Sequence, residues 1–434
     1  MTLSHYAPWL IVVGASSTDK RYGAAVELGN GLEFLGETGQ SQKTPFNQSI
    51  TGEIIFPGAN NKNETLGCLS GSLNGFNVRD KIVLCWSGKN NTGKGRVVLA
   101  AGGAAMILMG PGPLTIFQSF VLPMSRVDSA VAEMILNYYR STRSRGRTPT
   151  ATITYKGLVP GRLPAPQVAG FSSRGPSEVN GGILKPDVIA PGVEILAAWP
   201  NRSAPYDNYF SYDHGTSMAA PHVAGVMALI RKKYPKWSPA AIQSAIITSA
   251  DDLDLSGRPI IDATTDEPAN IFARGAGHIN PQRAMDPGLV YDRNFSDYVG
   301  YLCALGCDSA TMHMYTDRKV NCTAEMKIKA SQLNYPSIMV TLSSLSPNET
   351  VSRTVTNVGH VSSVYTPRIF HPAKASVILS TNRLQFSAHR RQASFDVTIR
   401  ITPPVPVKGT ISEGKIEWVS NKQVVRSPIA VVFD

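Results

Sequence analysis

A serine hydroxyl is a poor nucleophile at neutral pH. It attacks a carbonyl only when a base takes its proton and donors meet the oxyanion that forms. Part of that equipment is present in His214-Gly215-Thr216-Ser217-Met218-Ala219-Ala220-Pro221-His222. Gly215 permits a tight turn and close backbone approach to a substrate. Ser217 then opens an apolar, small-residue stretch, 217–233, that reads as a buried helix. The unpaired N–H groups and positive dipole end of such a helix favour negative charge. Pro221 is read as a first-turn residue, where a missing N–H costs nothing. Val223, Ala224, Gly225, Val226, Ala228, Leu229 and Ile230 are expected to bury the helix and hold Ser217 still, because a small misplacement costs large factors in rate. A lone Gly-x-Ser also has a plainer reading, an N-cap serine on a core helix.

No base stands beside Ser217 in the chain. His222 lies five residues on, about 140° round a helix of 3.6 residues per turn, and reads as a satisfied core histidine. His5 reads as a residue flanking a strand.

The elements that must position Ser217 alternate between strand and helix. An apolar strand is expected at 10–13, and 24–28 leads into Gly29-Asn30-Gly31, a hairpin signal. After residue 49 come a strand at 81–85, a helix at 94–101, a buried strand at 104–109 and an amphipathic helix at 129–140 capped by Asp128. Strands follow at 183–189 and 193–199, and Ser238-Pro239 opens a helix over 240–250. From 331 the pattern is all-β: Phe395, Val397, Ile399 and Ile401 alternate with polar residues, as do Ile429, Val431 and Phe433. About seven such segments suggest a β-sandwich.

The 434 residues carry a formal charge of +11 and a pI near 9.4. The densest basic run, Arg140, Arg143, Arg145 and Arg147, lies among Ser, Thr and Gly and reads as a solvated loop. No zinc-finger spacing or aromatic-interleaved basic motif points to nucleic acid, and no apolar run is long enough to span a membrane. Five cysteines, Cys68, Cys85, Cys303, Cys307 and Cys322, leave at least one unpaired within the chain. Sequons at Asn47, Asn63, Asn90, Asn201, Asn294, Asn321 and Asn348 lean towards a secreted protein. The first residues nevertheless lack the basic and apolar regions of a secretory signal, which suggests that residue 1 is not the natural beginning. No carboxylate-rich loop suits calcium, so no cofactor or metal is expected.

Over eleven positions, 215–225, the Ser217 run resembles the serine motif of the subtilisin family. Plant subtilases are also resembled by Phe171-Ser172-Ser173-Arg174-Gly175-Pro176, by 184–192 around Lys185-Pro186-Asp187, by Gly275-Ala276-Gly277-His278-Ile279-Asn280-Pro281, by Ala7-Pro8-Trp9 and by Leu333-Asn334-Tyr335-Pro336-Ser337. The resemblance implies an α/β subtilisin-like catalytic domain, its C-terminal half, with a protease-associated α+β insertion and a C-terminal fibronectin-III-like β-sandwich. The expected domains are a discontinuous peptidase domain at 1–48 and 157–300, the insertion at 49–156, a connecting segment at 301–330 and the sandwich at 331–434. Within them Cys68–Cys85 and Cys303–Cys322 are expected bridges leaving Cys307 free, although spacing alone does not decide pairing.

The family orders its triad Asp, His, Ser. This chain begins downstream of the positions of the Asp, the His and the oxyanion-hole Asn. Asp187 corresponds to a structural residue, not the triad acid. His214 stands where the family usually has Ser or Asn, and Ala219-Ala220 replaces a common Ser-Cys pair. Two readings from different classes follow. In the first, Ser217 is the catalytic residue of a serine endopeptidase acting on protein or peptide substrates in the extracellular space, in the apoplast or cell wall. The truncated chain is then inactive alone, and the insertion offers a surface for a homodimer. In the second, the protein is a non-catalytic secreted pseudoprotease that binds other proteins. A third, purely structural β-sandwich protein leaves the Ser217 run unexplained.

Overall fold

The computed structural model describes residues 2–38, 49–60, 62–88, 91–110, 121–161, 163–198, 210–317, 320–323 and 326–434. The sequons at Asn47, Asn90 and Asn201 lie outside them. The chain forms two compact units: 1–18 with 163–193 and 215–434, and 19–162 with 194–214.

The first unit begins with β1 (Val13–Ser16), three residues later than the expected strand. The second unit is built on β2 (Arg21–Leu28), β3 (Glu33–Glu37), β4 (Ile50–Ile55), β5 (Ile82–Trp86), β6 (Ala105–Met109), β7 (Met124–Val127) and β8 (Thr150–Val159). They close a barrel in the order β2-β3-β7-β6-β5-β4-β8, which leaves no open edge. The expected boundary at residue 49 is corrected here. β2 pairs with β8 from Arg21↔Val159 to Leu28↔Ala151, so 19–37 belongs to the barrel unit and not to the first unit. The β2–β3 hairpin turns through Asn30-Gly31, as its sequence signals, with Gly31 at φ +87°.

Helices α1 (Asn63–Leu66), α2 (Asn91–Ala100) and α3 (Ser129–Ser144) also belong to this unit. Asp128 caps α3 by accepting from the Val131 amide at 2.9 Å, and Ala132, Ile135, Leu136 and Tyr139 face the core. Cys68 and Cys85 are bonded, tying the α1 region to β5.

Back in the first unit, β9 (Val188–Pro191) pairs in parallel with β1. The unit receives neither β10 (Ile195–Ala198) nor β11 (Phe210–Asp213), which pair antiparallel in the barrel unit. Its two long helices are α4 (Thr216–Lys233) and α5 (Pro239–Ser249). Ser238 caps α5 at 2.9 Å with Pro239 at the first helical position, and the helix is buried from Ala240 to Ser249. After α6 (Ile271–Arg274), α7 (Pro281–Ala284) and β12 (Leu289–Val290) come α8 (Phe295–Ala304) and α9 (Ser309–Thr316). The stretch expected to be a mere connector, 301–330, instead supplies Leu302, Cys303, Met312 and Val320 to the core beneath α4 and α5. Cys303 and Cys322 are bonded and Cys307 is free.

The sandwich comprises β13 (Ile338–Leu342), β14 (Asn348–Asn357), β15 (Ser363–Phe370), β16 (Ala375–Leu379), β17 (Leu384–Phe386), β18 (Gln392–Ile401), β19 (Ile411–Val419) and β20 (Val424–Phe433). Its sheets run β12-β14-β18-β16 and β13-β20-β19-β15-β17, so β12 joins it from upstream of the expected boundary. Trp418, fully buried, meets Phe395 edge-on at 5.0 Å in its core. Glu413 holds Arg274 at 2.6 Å and Lys415 holds Asp252 at 2.7 Å, tying the sandwich to α6 and to the segment after α5.

Candidate active site

Ser217 is the second residue of α4, and Gly215 is the N-cap. Two glycines make this turn. Gly215 has φ +140°, a conformation that side chains disfavour. Gly192, just past β9, lies so close that a Cβ there would sit 2.7 Å from Ala15 and 2.8 Å from the Gly215 carbonyl. The Gly215 amide donates to the Gly192 carbonyl at 2.8 Å, which fixes the start of α4 to the C-terminal end of the parallel pair.

The first amides to find carbonyl partners are those of Met218 and Ala219, both on Gly215. The Ser217 amide and hydroxyl find no partner among the described residues, and the side chain is exposed. The hydroxyl therefore caps nothing, and the N-cap reading of Ser217 does not apply. Free amides at a helix start are the kind of donors that an oxyanion needs. No base among the described residues is hydrogen-bonded to the hydroxyl.

Three expectations about α4 are corrected. The helix is buried on one stripe only, Ala219, Val223, Val226 and Ile230, while Ala224, Gly225, Ala228 and Leu229 are exposed. Small and apolar residues on both faces conceal which face packs. His222 falls off the buried stripe and is exposed; its Nδ1 contacts the Met218 carbonyl at 2.8 Å. Pro221 lies in the second turn, not the first, so the Ser217 carbonyl loses its i+4 donor.

His214 belongs to the barrel unit. Its Nδ1 lies 3.7 Å from Asp213, and burial pushes its pKa down to about 4 despite that carboxylate. The ring is therefore neutral at ordinary pH. His5 is exposed and contacts Ser4.

Asp187 is buried and structural. Its Oδ2 accepts from the Val12 amide and from Lys185 Nζ, each at 2.7 Å, and its Oδ1 accepts from the Tyr335 hydroxyl at 2.6 Å. Lys185 also donates to the Leu10 carbonyl and to Tyr335, each at 2.8 Å. Burial lowers the Lys185 pKa, with Asp187 opposing, and raises that of Tyr335. Arg293 lies over the Tyr335 ring at 4.6 Å and donates to Gln243, which donates in turn to the Tyr335 hydroxyl. The motifs around Lys185 and Tyr335 thus meet, although 150 residues separate them.

Sequence reasoning passed over His278. It bridges to Ile189 of β9 and exchanges backbone hydrogen bonds with Asp251. Its Nε2 is buried without a hydrogen-bond partner among the described residues, and burial lowers its pKa, Asp251 opposing and His222 adding a little. Nothing about one histidine after Gly-Ala-Gly signals burial. Among the described residues no group of three or more His, Cys, Asp or Glu is arranged to hold a metal, and no helix is long and apolar enough to cross a membrane.

Comparison with known proteins adds to this geometry. A subtilase family model matches residues 5–277, and a fibronectin type-III domain model matches 332–431. Subtilisin-like protease SBT1.2 of Arabidopsis thaliana is 39% identical over 449 residues, covering 100% of this chain and 57% of that protein. Subtilisin-like protease SBT1.5 of the same plant is 38% identical over 457 residues, covering 100% and 59%. The chain thus spans a little over half the length of the curated relatives it matches.

Proposed function

Because the chain belongs to the plant subtilase family of serine proteases, we propose that Ser217 is the acyl-forming nucleophile of an extracellular endopeptidase whose remaining catalytic groups come from sequence outside these 434 residues. The observation that carries this reading is the state of Ser217: exposed at the first turn of α4, with its amide free and its hydroxyl unpartnered among the described residues. Acyl transfer needs a base at the hydroxyl and donors at the oxyanion. The free amide is one such donor. The reading places the triad Asp, the His and the side-chain oxyanion donor in sequence outside the chain.

The reading includes an inactive isolated chain, since loss of a triad base leaves only residual catalysis from the oxyanion hole and binding. The barrel is the protease-associated insertion, and it offers a surface for self-association. Asn63, Asn294, Asn321 and Asn348 carry glycans in the secreted product. Substrates are proteins or peptides.

The test is labelling with a fluorophosphonate. The isolated chain should label at Ser217 far more slowly than a complete subtilase, and fusion to the upstream half of a complete relative should restore labelling. Serine-specific labelling of the isolated chain at the complete enzyme's rate would refute the division of labour. A fused protein that stays unlabelled would favour the second reading, a secreted pseudoprotease that binds proteins; the unpartnered hydroxyl is the observation on its side.

A further inference from the structure

We propose that the end of the barrel where α3 stops and β8 starts is a docking surface for a carboxylated wall polysaccharide, a linear polyuronate. Arg140 and Arg143 are on the last turns of α3, and Arg145 and Arg147 follow it directly. Gly146, at φ +69°, turns the chain back: its amide donates to the Arg143 carbonyl at 2.9 Å, and the Arg147 amide donates to Thr142 at 3.1 Å. The turn folds Arg145 and Arg147 back against the last turn of α3, and all four arginines are exposed.

The stretch 140–149 holds no carboxylate, and Glu133 lies two turns back along α3. Arg140, Arg145 and Arg147 make no ion pair among the described residues, and Arg143 lies over the Tyr139 ring at 5.7 Å.

A solvated loop does not account for this concentration. The helix dipole favours cations only within the last turn, which covers Arg143 but not Arg145 or Arg147. Crowded like charges repel, and a polyanion relieves that repulsion. The run 140–147 uses Arg and no Lys, and the planar guanidinium fork matches a carboxylate through paired hydrogen bonds. Single-stranded nucleic acid would need exposed aromatic faces for stacking. Here Tyr139 is buried and the Tyr138 hydroxyl accepts from the Thr150 amide at 3.2 Å. A bilayer would need apolar side chains to insert, and 140–148 has none. The choice of a wall polymer rests on the extracellular role proposed above, whereas the charged surface does not.

The experiment is binding of the full chain to polygalacturonate at low salt, beside duplex DNA and anionic vesicles. R140E/R143E/R145E/R147E should weaken polygalacturonate binding about tenfold or more and flatten its salt dependence. R383E/R390E/R391E/K422E, which reverses four exposed cations on the sandwich, should stay within about twofold. Far-ultraviolet circular dichroism checks both folds. If the quadruple variant does not fold, R145E and R147E singly, beyond the helix, should each still weaken binding about threefold. The proposal is overturned if the chain does not bind polygalacturonate, if the sandwich variant loses as much, or if DNA or vesicles bind more tightly. None of these outcomes depends on labelling of Ser217.

Discussion

Two polar constellations lie at opposite ends of β9. Ahead of the strand, Lys185, Asp187 and Tyr335 are fully buried, and the carboxylate has a donor for each of its oxygens. Past the strand, Gly192 anchors Gly215, and Ser217 is exposed with a hydroxyl that has no partner among the described residues. Buried polar groups must be satisfied because no water compensates them. An exposed hydroxyl carries no such demand. The saturated end is complete within the chain and serves stability, whereas the open end is available for chemistry and contributes little to stability.

The comparison breaks first at its saturated end. Lys185→Met removes one partner of a buried pair and leaves Asp187 with an uncompensated charge. That should cost about 3–5 kcal/mol, read as a large fall in the urea midpoint or as failure of the unit to fold. A loss below about 1 kcal/mol would mean that water reaches the pair. Tyr335→Phe is milder. It deletes the donor to Asp187 Oδ1 while the Val12 and Lys185 donors to Oδ2 persist, for about 1–3 kcal/mol. Because Tyr335 enters from the segment before β13, this variant also tests whether the sandwich is fastened through the hydroxyl or through packing alone.

Between the two ends, Ile189 bridges to His278, which sharpens the comparison through pH. The His278 pKa is lowered in the folded state, mainly by burial. Below about pH 6.5 the unfolded chain binds this proton more readily than the native one. The contribution is therefore fully present above that pH and is lost as pH falls towards the lowered folded value. His278→Gln should flatten the fall of the unfolding midpoint between pH 7 and 5. An unchanged slope would assign the acid sensitivity to other groups.

What could be read in advance was local. Asp128 and Ser238 declare their helices because a cap needs only its own first turn, and Asn30-Gly31 declares its hairpin for the same reason. The Ser217 run was legible as a motif, and its place at the start of a helix follows from the residues around it. The barrel boundary was not, because it depends on β2 meeting β8 more than 120 residues away, and neither strand names its partner. The exposed side of α4 was hidden as well: Ala224, Gly225, Ala228 and Leu229 are apolar or small, so composition cannot distinguish them from Val223 and Val226. His278 shows the converse limit, since a polar residue gives no sign in sequence that it will be buried.

The smallest effect is the most discriminating. Ser217→Ala replaces an exposed side chain that makes no hydrogen bond among the described residues, at the second position of a helix. Alanine has the higher helix propensity, so the stability change should lie within about 0.5 kcal/mol and tend to be favourable. The same substitution should abolish all fluorophosphonate labelling of the fused, complete protein. A functional group that costs nothing to remove is what an exposed nucleophile should be, whereas a cap should cost about 1 kcal/mol. If Ser217→Ala destabilises the chain by that amount while labelling persists at another residue, Ser217 is structural and the asymmetry between the two ends of β9 collapses.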